Sequence, residues 1–245
     1  MIKLKLLFFF LFLSFLTKGQ TYNVHYEEII FSNDVNLELM SKELLKRREK
    51  NQQSKSILTT TNGSSVYQQD VDLLELEDSD NPNTSIYIAR PKEYRNQASK
   101  LLLQYYKNYE PVIYGEDVYV KNELPVYDWE ILEQTETIAG YTCKLAKTKY
   151  SDGTSVLAWF TDEIPINEGP RDLWGLPGLI VQAQINERVL VVAVKIVKEE
   201  ELIEIIFPTP EKTITPSEFS DLKKHIFRPR TITTPDGRII TIGRS

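Results

Sequence analysis

The sequence is poor in the residues that build metal centres and disulfide frameworks. One cysteine, Cys143, and two histidines, His25 and His225, occur among 245 residues. A single cysteine excludes an intrachain disulfide framework and a cysteine-rich metal site. Two histidines also disfavour a multi-histidine metal centre. We therefore predict neither a metal site nor a cofactor.

Long apolar runs are also scarce, and the one that occurs lies at the N-terminus. Leu6–Leu16 follows Lys3 and Lys5 and precedes Thr17-Lys18-Gly19, which is the pattern of a secretory signal peptide. As a helix this run would rise about 16 Å, roughly half the thickness of a bilayer core. We predict a cleaved signal peptide over residues 1–19 and no transmembrane segment after it. No cysteine lies near the cleavage point, so we expect a periplasmic or outer-membrane-associated protein without a lipid anchor.

Positive charge is in the minority. The chain has 29 Lys and Arg against 35 Asp and Glu, and loss of Lys3, Lys5 and Lys18 with the signal changes the net charge from −6 to about −9. An acidic exported protein has no electrostatic reason to bind nucleic acid or anionic lipid. The 13 Tyr, 10 Phe and 3 Trp argue against a disordered chain, which would contain few aromatic residues.

Apolar and β-branched residues recur in short runs separated by turn residues, which predicts a series of strands. Asp152-Gly153 is a strong hairpin signal and predicts a meander from Trp129 to Phe160. A last hairpin is predicted at Thr231–Ile242, and the polar stretch Asn51–Gly63 is predicted to be a loop. The predicted strands are Tyr22–Phe31, Ser65–Gln69, Ile86–Ala89, Leu101–Tyr106, Val112–Tyr114, Val118–Val120, Trp129–Thr135, Tyr141–Thr148, Val156–Phe160, Leu179–Ile185, Val189–Val197 and Leu202–Phe207.

Two segments have helical patterns instead. In Val35–Lys50 the apolar residues recur at helical spacing. Thr215 and Glu218 have the spacing of a capping box, with Pro216 at the first helical position, and predict a helix that ends near Ile226. We therefore predict a mainly β fold over residues 20–245, an antiparallel curved sheet or partial barrel with one or two helices.

Alternation along Tyr141–Leu145 places Tyr141, Cys143 and Leu145 on one face of a strand and Thr142 and Lys144 on the other. This pattern predicts that Cys143 is buried among apolar neighbours. A buried free cysteine behaves as a small apolar side chain, so we predict a structural thiol.

The run from Gly169 to Ile180 combines glycine and proline with apolar residues. Pro177-Gly178 suits a type II turn, with a positive φ at Gly178. The flanking apolar residues predict that the turn either plugs one end of the sheet or forms the mouth of a pocket. Arg171-Asp172 is interpreted as an ion pair that braces this turn.

The six residues Gly175-Leu176-Pro177-Gly178-Leu179-Ile180 resemble the signature of the GLPGLI family, also called the Porph_ging family, exported proteins of Bacteroidetes. The resemblance covers roughly Tyr94–Ile185, with Trp174 in place of a more familiar phenylalanine. It implies export but no activity, since the family has none assigned, and a fold distantly like periplasmic carriers that hold acyl chains. Further matching runs are Trp129–Ile131, Thr137–Ala146, Ala158–Pro165 and Gly169-Pro170.

No nucleophile–base, zinc-hydrolase or phosphate-binding motif occurs, so we predict no catalytic residues and no enzyme. The leading hypothesis is a non-catalytic cell-envelope binding or carrier module with an apolar groove. The alternatives are a structural or accessory protein that docks to an envelope partner, and an enzyme with an unfamiliar site. The expected partners are an envelope protein or an apolar ligand. The candidate binding residues are Trp129, Ile131, Tyr141, Trp159, Gly169, Pro170, Gly175, Leu176, Pro177, Gly178, Leu179 and Ile180.

Overall fold

A computed structural model describes residues 20–30, 53–69, 91–107, 117–226, 230–233 and 239–242. The described elements are β1 (Thr21–Ile30), β2 (Gln53–Thr61), β3 (Ser64–Gln69), β4 (Lys92–Asn96), β5 (Leu101–Tyr106), β6 (Val118–Glu123), β7 (Glu130–Ile138), β8 (Tyr141–Lys149), β9 (Ser155–Thr161), β10 (Leu179–Ile185), β11 (Val189–Lys198), α1 (Pro216–Ile226), β12 (Arg230–Thr233) and β13 (Ile239–Ile242). The predicted signal peptide, the predicted helix Val35–Lys50 and the predicted strands Ile86–Ala89 and Val112–Tyr114 lie outside these residues.

Eleven antiparallel strands form one sheet in the order β6-β5-β4-β3-β2-β1-β11-β10-β9-β8-β7. The centre pairs the first strand, β1, with β2 on one side and with the late strand β11 on the other. A second, two-stranded sheet pairs β12 with β13. The predicted mainly β antiparallel class is therefore confirmed. The sheet is open, because no ladder joins the edge strands β6 and β7, so it is not closed into a barrel.

The two edge strands are neighbours in sequence although they lie at opposite ends of the strand order. Residues 124–129 connect Glu123 of β6 to Glu130 of β7, and seven residue steps reach at most about 25 Å. Eleven strands laid flat would be about 48 Å wide. The edges are therefore closer than a flat sheet allows. The two halves of the sheet lie on either side of residues 162–178, which we call the β9–β10 connection.

Two of the apolar clusters among the described residues pack beside the β9–β10 connection. One includes Val24, Tyr26 and Leu58 of β1 and β2 together with Cys143 of β8 and Val191 of β11. The other joins residues of β8, β9 and β10 to the β9–β10 connection, among them Phe160, Leu173, Leu176 and Ile180. The connection is therefore part of the core and is not a surface loop.

The chain after β11 crosses to the β6 edge. The backbone N–H of Glu199 donates to the carbonyl of Thr21 at 2.9 Å, and Phe207 lies against Tyr94 with ring centroids 5.7 Å apart. Ile214 then pairs with Val120 in a parallel bridge. Helix α1 follows, and its Phe219 packs on Val118, Val120 and Tyr106. No helix among the described residues is long and apolar enough to cross a membrane.

Several local predictions are confirmed. The β7–β8–β9 meander forms around Asp152-Gly153, where Gly153 has a φ of +87°. Helix α1 begins at Pro216 and ends at Ile226, and the Thr215 hydroxyl and the Glu218 carboxylate cap it reciprocally. The last hairpin is also present as β12 and β13.

Two local predictions were wrong. The polar stretch Asn51–Gly63 contains β2, because its backbone pairs with β1 on one side and with β3 on the other. Residues 202–207 are not a strand, since the sheet positions beside β11 are taken by β1 and β10 and leave this segment no ladder partner.

Candidate functional site: a polar cavity beside the β9–β10 connection

The β9–β10 connection forms a compact structure held by its own backbone. Glu168 and Trp174 form an antiparallel bridge, and the N–H of Gly175 donates to the carbonyl of Asn167 at 3.1 Å. The N–H of Ile180 donates to the carbonyl of Glu168 at 2.9 Å. These bonds satisfy backbone groups that would otherwise be buried without partners. The residues between them are therefore presented to the sheet in a fixed arrangement.

A buried ion pair joins this connection to β4. The Arg95 and Glu168 side chains, 1% and 2% exposed, approach with Nη2 and Oε2 3.3 Å apart. Arg95 also donates to the carbonyls of Leu173 and Gly169 at 3.1 and 3.0 Å. The Glu168 carboxylate accepts two more bonds, from Ser65 at 3.0 Å and Gln97 at 2.9 Å. Because buried charges are stable when paired and hydrogen-bonded, this network anchors the connection to the sheet.

A second ion pair joins the connection to β1. Arg171 donates from Nη2 and Nε to the two carboxylate oxygens of Glu28, at 2.7 and 3.0 Å. Burial opposes the charge of Arg171, but the hydrogen bond and charge of Glu28 prevail and raise its pKa. Arg171 has a φ of +54°, a left-handed conformation that is uncommon outside glycine. Tertiary contacts therefore hold a locally unfavourable backbone in place.

Asp172 faces the opposite half of the sheet. Its carboxylate accepts hydrogen bonds from the Tyr127 hydroxyl at 2.8 Å and the Tyr150 hydroxyl at 3.0 Å. Burial raises the pKa of both tyrosines, and the neighbouring Asp172 charge raises them further. The predicted Arg171–Asp172 ion pair is therefore wrong, because each side chain binds a different part of the sheet. Both contacts still brace the turn.

A cavity of about 270 Å³ lies between β3, β4, β5 and the β9–β10 connection. It contains two carboxyl groups and one guanidinium on its wall, together with tyrosine and glutamine side chains. The lining residues are Tyr67, Pro91, Glu93, Gln104, Tyr150, Arg171 and Asp172. Most lining residues therefore carry polar or charged groups, and apolar atoms contribute a comparable share of the surface, which differs from the mainly apolar groove expected from the sequence.

Glu93 is the unusual member of this set. It is 7% exposed, and one carboxylate oxygen accepts a bond from the Gln104 amide at 3.0 Å. The other oxygen, Oε2, has no hydrogen-bond partner among the described residues. Burial raises the pKa of Glu93, and the Asp172 charge raises it further. A buried carboxyl oxygen without a partner is costly unless a proton or a ligand occupies it.

The signature residues lie in the core beside this cavity. Leu176, Leu179 and Ile180 are buried, as are Gly169, Pro170 and Gly178, whereas Gly175 and Pro177 are exposed. Gly178 does not have the predicted positive φ, so the type II turn is wrong. Gly175 has a φ of +95° instead, and a Cβ at Gly178 would overlap the backbone of Thr161. Glycine is needed at 178 because two backbone segments approach closely.

The four predicted groove residues outside the signature are not brought together. Trp129 packs on the second apolar cluster and donates from Nε1 to the carbonyl of Trp174 at 2.9 Å. Tyr141 and Trp159 pack on the first cluster, and Ile131 is 49% exposed on the edge strand β7. None of the four lines the polar cavity.

Cys143 is buried, as predicted, and burial raises the pKa of its thiol to about 11. This thiol is therefore protonated near neutral pH and is a poor nucleophile. His25 lies in the central strand β1 and does not line the cavity, while the side chain of His225 lies outside the described residues. In the part of the chain that the structure describes, no three His, Cys, Asp or Glu side chains form a metal-binding group.

Sequence reasoning missed Glu93 and Arg95, the two β4 residues that define this site. The strand is short and reads Lys-Glu-Tyr-Arg-Asn, so its pattern is that of a solvated segment. The available signal is the strict alternation of Glu93 and Arg95, which places both on one face. The partners of Arg95 lie more than 70 residues away in sequence, and no local pattern identifies them. The partner of Glu93, Gln104, lies on the next strand, β5.

Comparison with known proteins supports the fold and the family. The Porph_ging family model, described as a protein of unknown function, matches residues 147–182. This match confirms the family resemblance drawn from the signature. The matched residues run from the end of β8 into β10 and include the whole β9–β10 connection. No curated protein matches the chain.

Among solved structures, the chain is similar to PNGF-II in its C2 and P21 crystal forms. The TM-scores are 0.53 and 0.54 at 16% identity, over 89% of this chain. The chain spans 37% of the length of that protein, and at this identity the similarity concerns the fold alone. A DUF1329 family protein from Desulfovibrio piger ATCC 29098 aligns over 76% of this chain and 89% of its own, at 8% identity and a TM-score of 0.26.

Proposed function

We propose that this chain is an exported, non-catalytic binding module whose ligand occupies the polar cavity beside the β9–β10 connection. The observation that carries the proposal is the cavity of about 270 Å³ with the buried, incompletely hydrogen-bonded carboxyl of Glu93 in its wall. Concave sites with a few convergent polar groups are typical of small-molecule binding.

The surrounding structure supports a preformed site. Asp172 is held by two tyrosine hydroxyls and Arg171 by two bonds to Glu28, so neither side chain is free to change its position. A site whose groups are already fixed loses little entropy when a ligand binds. The polar lining also favours a polar ligand over the acyl chain expected from the carrier hypothesis.

Export is part of the proposal and rests on the N-terminal sequence. The charged start, the apolar run and the small residues near Gly19 match a secretory signal. We propose a periplasmic or outer-membrane-associated location without a lipid anchor. Cell fractionation of the full-length chain, with N-terminal sequencing of the mature form, tests this point.

Native mass spectrometry of the protein purified from its own cells tests the binding function. We expect a small molecule that leaves on denaturation and is lost from Gln104→Phe, because phenylalanine would fill part of the cavity. Gln134→Phe, at an exposed position on β7, provides a matched control that retains the ligand. A protein that carries no ligand in both wild type and control would contradict the proposal.

A second candidate function is docking to an envelope partner. Leu202, Ile203 and Ile206 are 54%, 40% and 77% exposed and follow one another on the segment after β11. Exposed apolar residues grouped in this way are typical of protein contact surfaces. Replacing all three with serine would abolish co-purification of a partner if this segment is the contact.

A further inference from the structure

We propose that the cavity binds a small organic cation, a primary ammonium or a guanidinium group, between Glu93 and Asp172. This inference rests on the proposed binding function and names the chemical class of the ligand. It follows from the balance of charge around the cavity, from the unpartnered oxygen of Glu93 and from the aromatic walls.

Among the described residues, the buried and half-buried charges around the β9–β10 connection do not balance. Two guanidiniums, Arg95 and Arg171, lie among four carboxyl groups, Glu28, Glu168, Glu93 and Asp172. Glu28 pairs with Arg171, and Glu168 pairs with Arg95. Glu93 and Asp172 have no ion-pair partner of their own among the described residues, and both line the cavity; Arg95 and Arg171 act on Glu93 only through their charge. Two carboxylates that share one site repel each other, and a monovalent cation between them would reduce the surplus from two negative charges to one.

The hydrogen-bond inventory indicates a donor as well as a charge. Glu93 Oε2 is buried and has no donor among the described residues, while Oε1 already accepts from Gln104. An ammonium group supplies three N–H donors and a guanidinium five, and neither has an acceptor to satisfy. Either group could donate a charge-assisted hydrogen bond to the Oε2 atom of Glu93.

The remaining lining favours an organic cation over a divalent metal. Tyr67 and Tyr150 are two aromatic residues of the lining, and aromatic residues attract cations where a ring face is presented to them. Calcium usually takes six to eight oxygen ligands, and this cavity offers two carboxyl groups, one of which already holds two tyrosine hydroxyls. The volume of about 270 Å³ suits a small amine or a side-chain head group.

Isothermal titration calorimetry of the mature protein at pH 7.5 tests the inference with four matched probes. The probes are n-butylammonium, n-butylguanidinium, n-butanol and butyrate. All four contain a four-carbon skeleton, and they differ in charge: two are cations, one is neutral and one is an anion. We expect binding of the first two, and binding at least about tenfold weaker for butanol and butyrate. Glu93→Gln should weaken n-butylammonium binding by at least about tenfold, because glutamine keeps the shape and removes the charge.

Glu187→Gln, in the exposed turn between β10 and β11, is the matched control and should bind as wild type does. If Glu93→Gln does not fold, Asp172→Asn removes the other carboxylate and is expected to show the same loss. Equal binding of n-butanol and n-butylammonium, or unchanged binding in both carboxyl variants, would overturn the inference. A neutral native ligand that Gln104→Phe displaces would overturn the cation assignment and preserve the binding function. If the native protein carries no ligand and none of the four probes binds, both the cation assignment and the proposed binding function are wrong.

Discussion

The two ends of residues 168–180, which run from the β9–β10 connection into β10, are buried by different means. Residues 168–172 are held by ion pairs to β1 and β4 and by hydrogen bonds to tyrosines. The signature residues 175–180 are held by apolar packing, in which Leu176, Leu179 and Ile180 are buried. Both ends are adjacent in sequence and contact the same sheet. The first end lies beside the cavity, whereas the second completes the core.

This difference shows what each mode of burial contributes. Apolar packing stabilises in proportion to the area removed from water and tolerates a change of shape. Ion pairs in the interior contribute little net stability, but they penalise any arrangement that separates the partners. The charged end therefore specifies the position of the connection over β4. The apolar end supplies most of the favourable free energy.

Arg95→Met should have the largest effect on the charged end. It leaves Glu168 buried without its cation and removes donors from the carbonyls of Gly169 and Leu173. Loss of one partner from a buried pair costs about 3–5 kcal/mol. Urea unfolding followed by tryptophan fluorescence measures this change. The double variant Arg95→Met with Glu168→Gln should recover part of the loss, since no buried charge then lacks a partner.

If Arg95→Met unfolds at the same urea concentration as the wild type, the ion pair does not hold the connection in place. The two halves would then be buried by the same apolar mechanism, and the comparison would fail.

Gly178→Ala should be next in size and acts on the apolar end. Its Cβ would overlap the backbone of Thr161, which cannot move without breaking the β9–β10 ladder. Overpacking of this kind costs about 1–3 kcal/mol. Gly175→Ala is the matched control. Its Cβ would lie 3.8 Å from Trp129 Nε1, an ordinary contact distance, so its loss of stability should come mainly from the positive φ. Thermal unfolding of both variants should rank Gly178→Ala as the less stable one.

The central part of the fold was predictable because its signals are local. Asp152-Gly153 predicted the hairpin at its own position, and Thr215 with Glu218 predicted the start of α1. In each case the residues that carry the information are within four positions of one another.

The polar parts of the sheet were not predictable in this way. Strand β2 is rich in Ser and Thr, and β4 carries Glu93 and Arg95, so both read as solvated segments. Ser56 and Thr60 are nevertheless buried, because they lie at alternate positions with Leu58 on the face of β2 that is packed in the core. Sequence patterns assume that charged residues face water. That assumption fails where partners from distant strands neutralise them, which is also where the cavity lies.

Glu93→Gln should have the smallest effect, and its sign depends on pH. The pKa of Glu93 is raised by burial and by Asp172, so its neutral form is favoured in the folded state. The groups that act on it are Arg95, Gln104, Arg171, Asp172 and, across the cavity, Tyr150. A carboxyl with a raised folded pKa contributes stability below its unfolded pKa, and that contribution is lost as the pH rises through the folded value.

The wild type should therefore lose stability relative to Glu93→Gln as the pH rises from 4 to 8. Urea unfolding at several pH values measures the difference between the two proteins, in which the other carboxyl groups cancel. Glu187→Gln, at an exposed position away from the cavity, is the control for loss of a carboxylate as such. A difference for Glu93→Gln that does not change with pH would mean that the cavity imposes no electrostatic cost on the ionised carboxyl of Glu93. The surplus of carboxylates beside the connection would then carry no energetic cost that a bound cation could relieve.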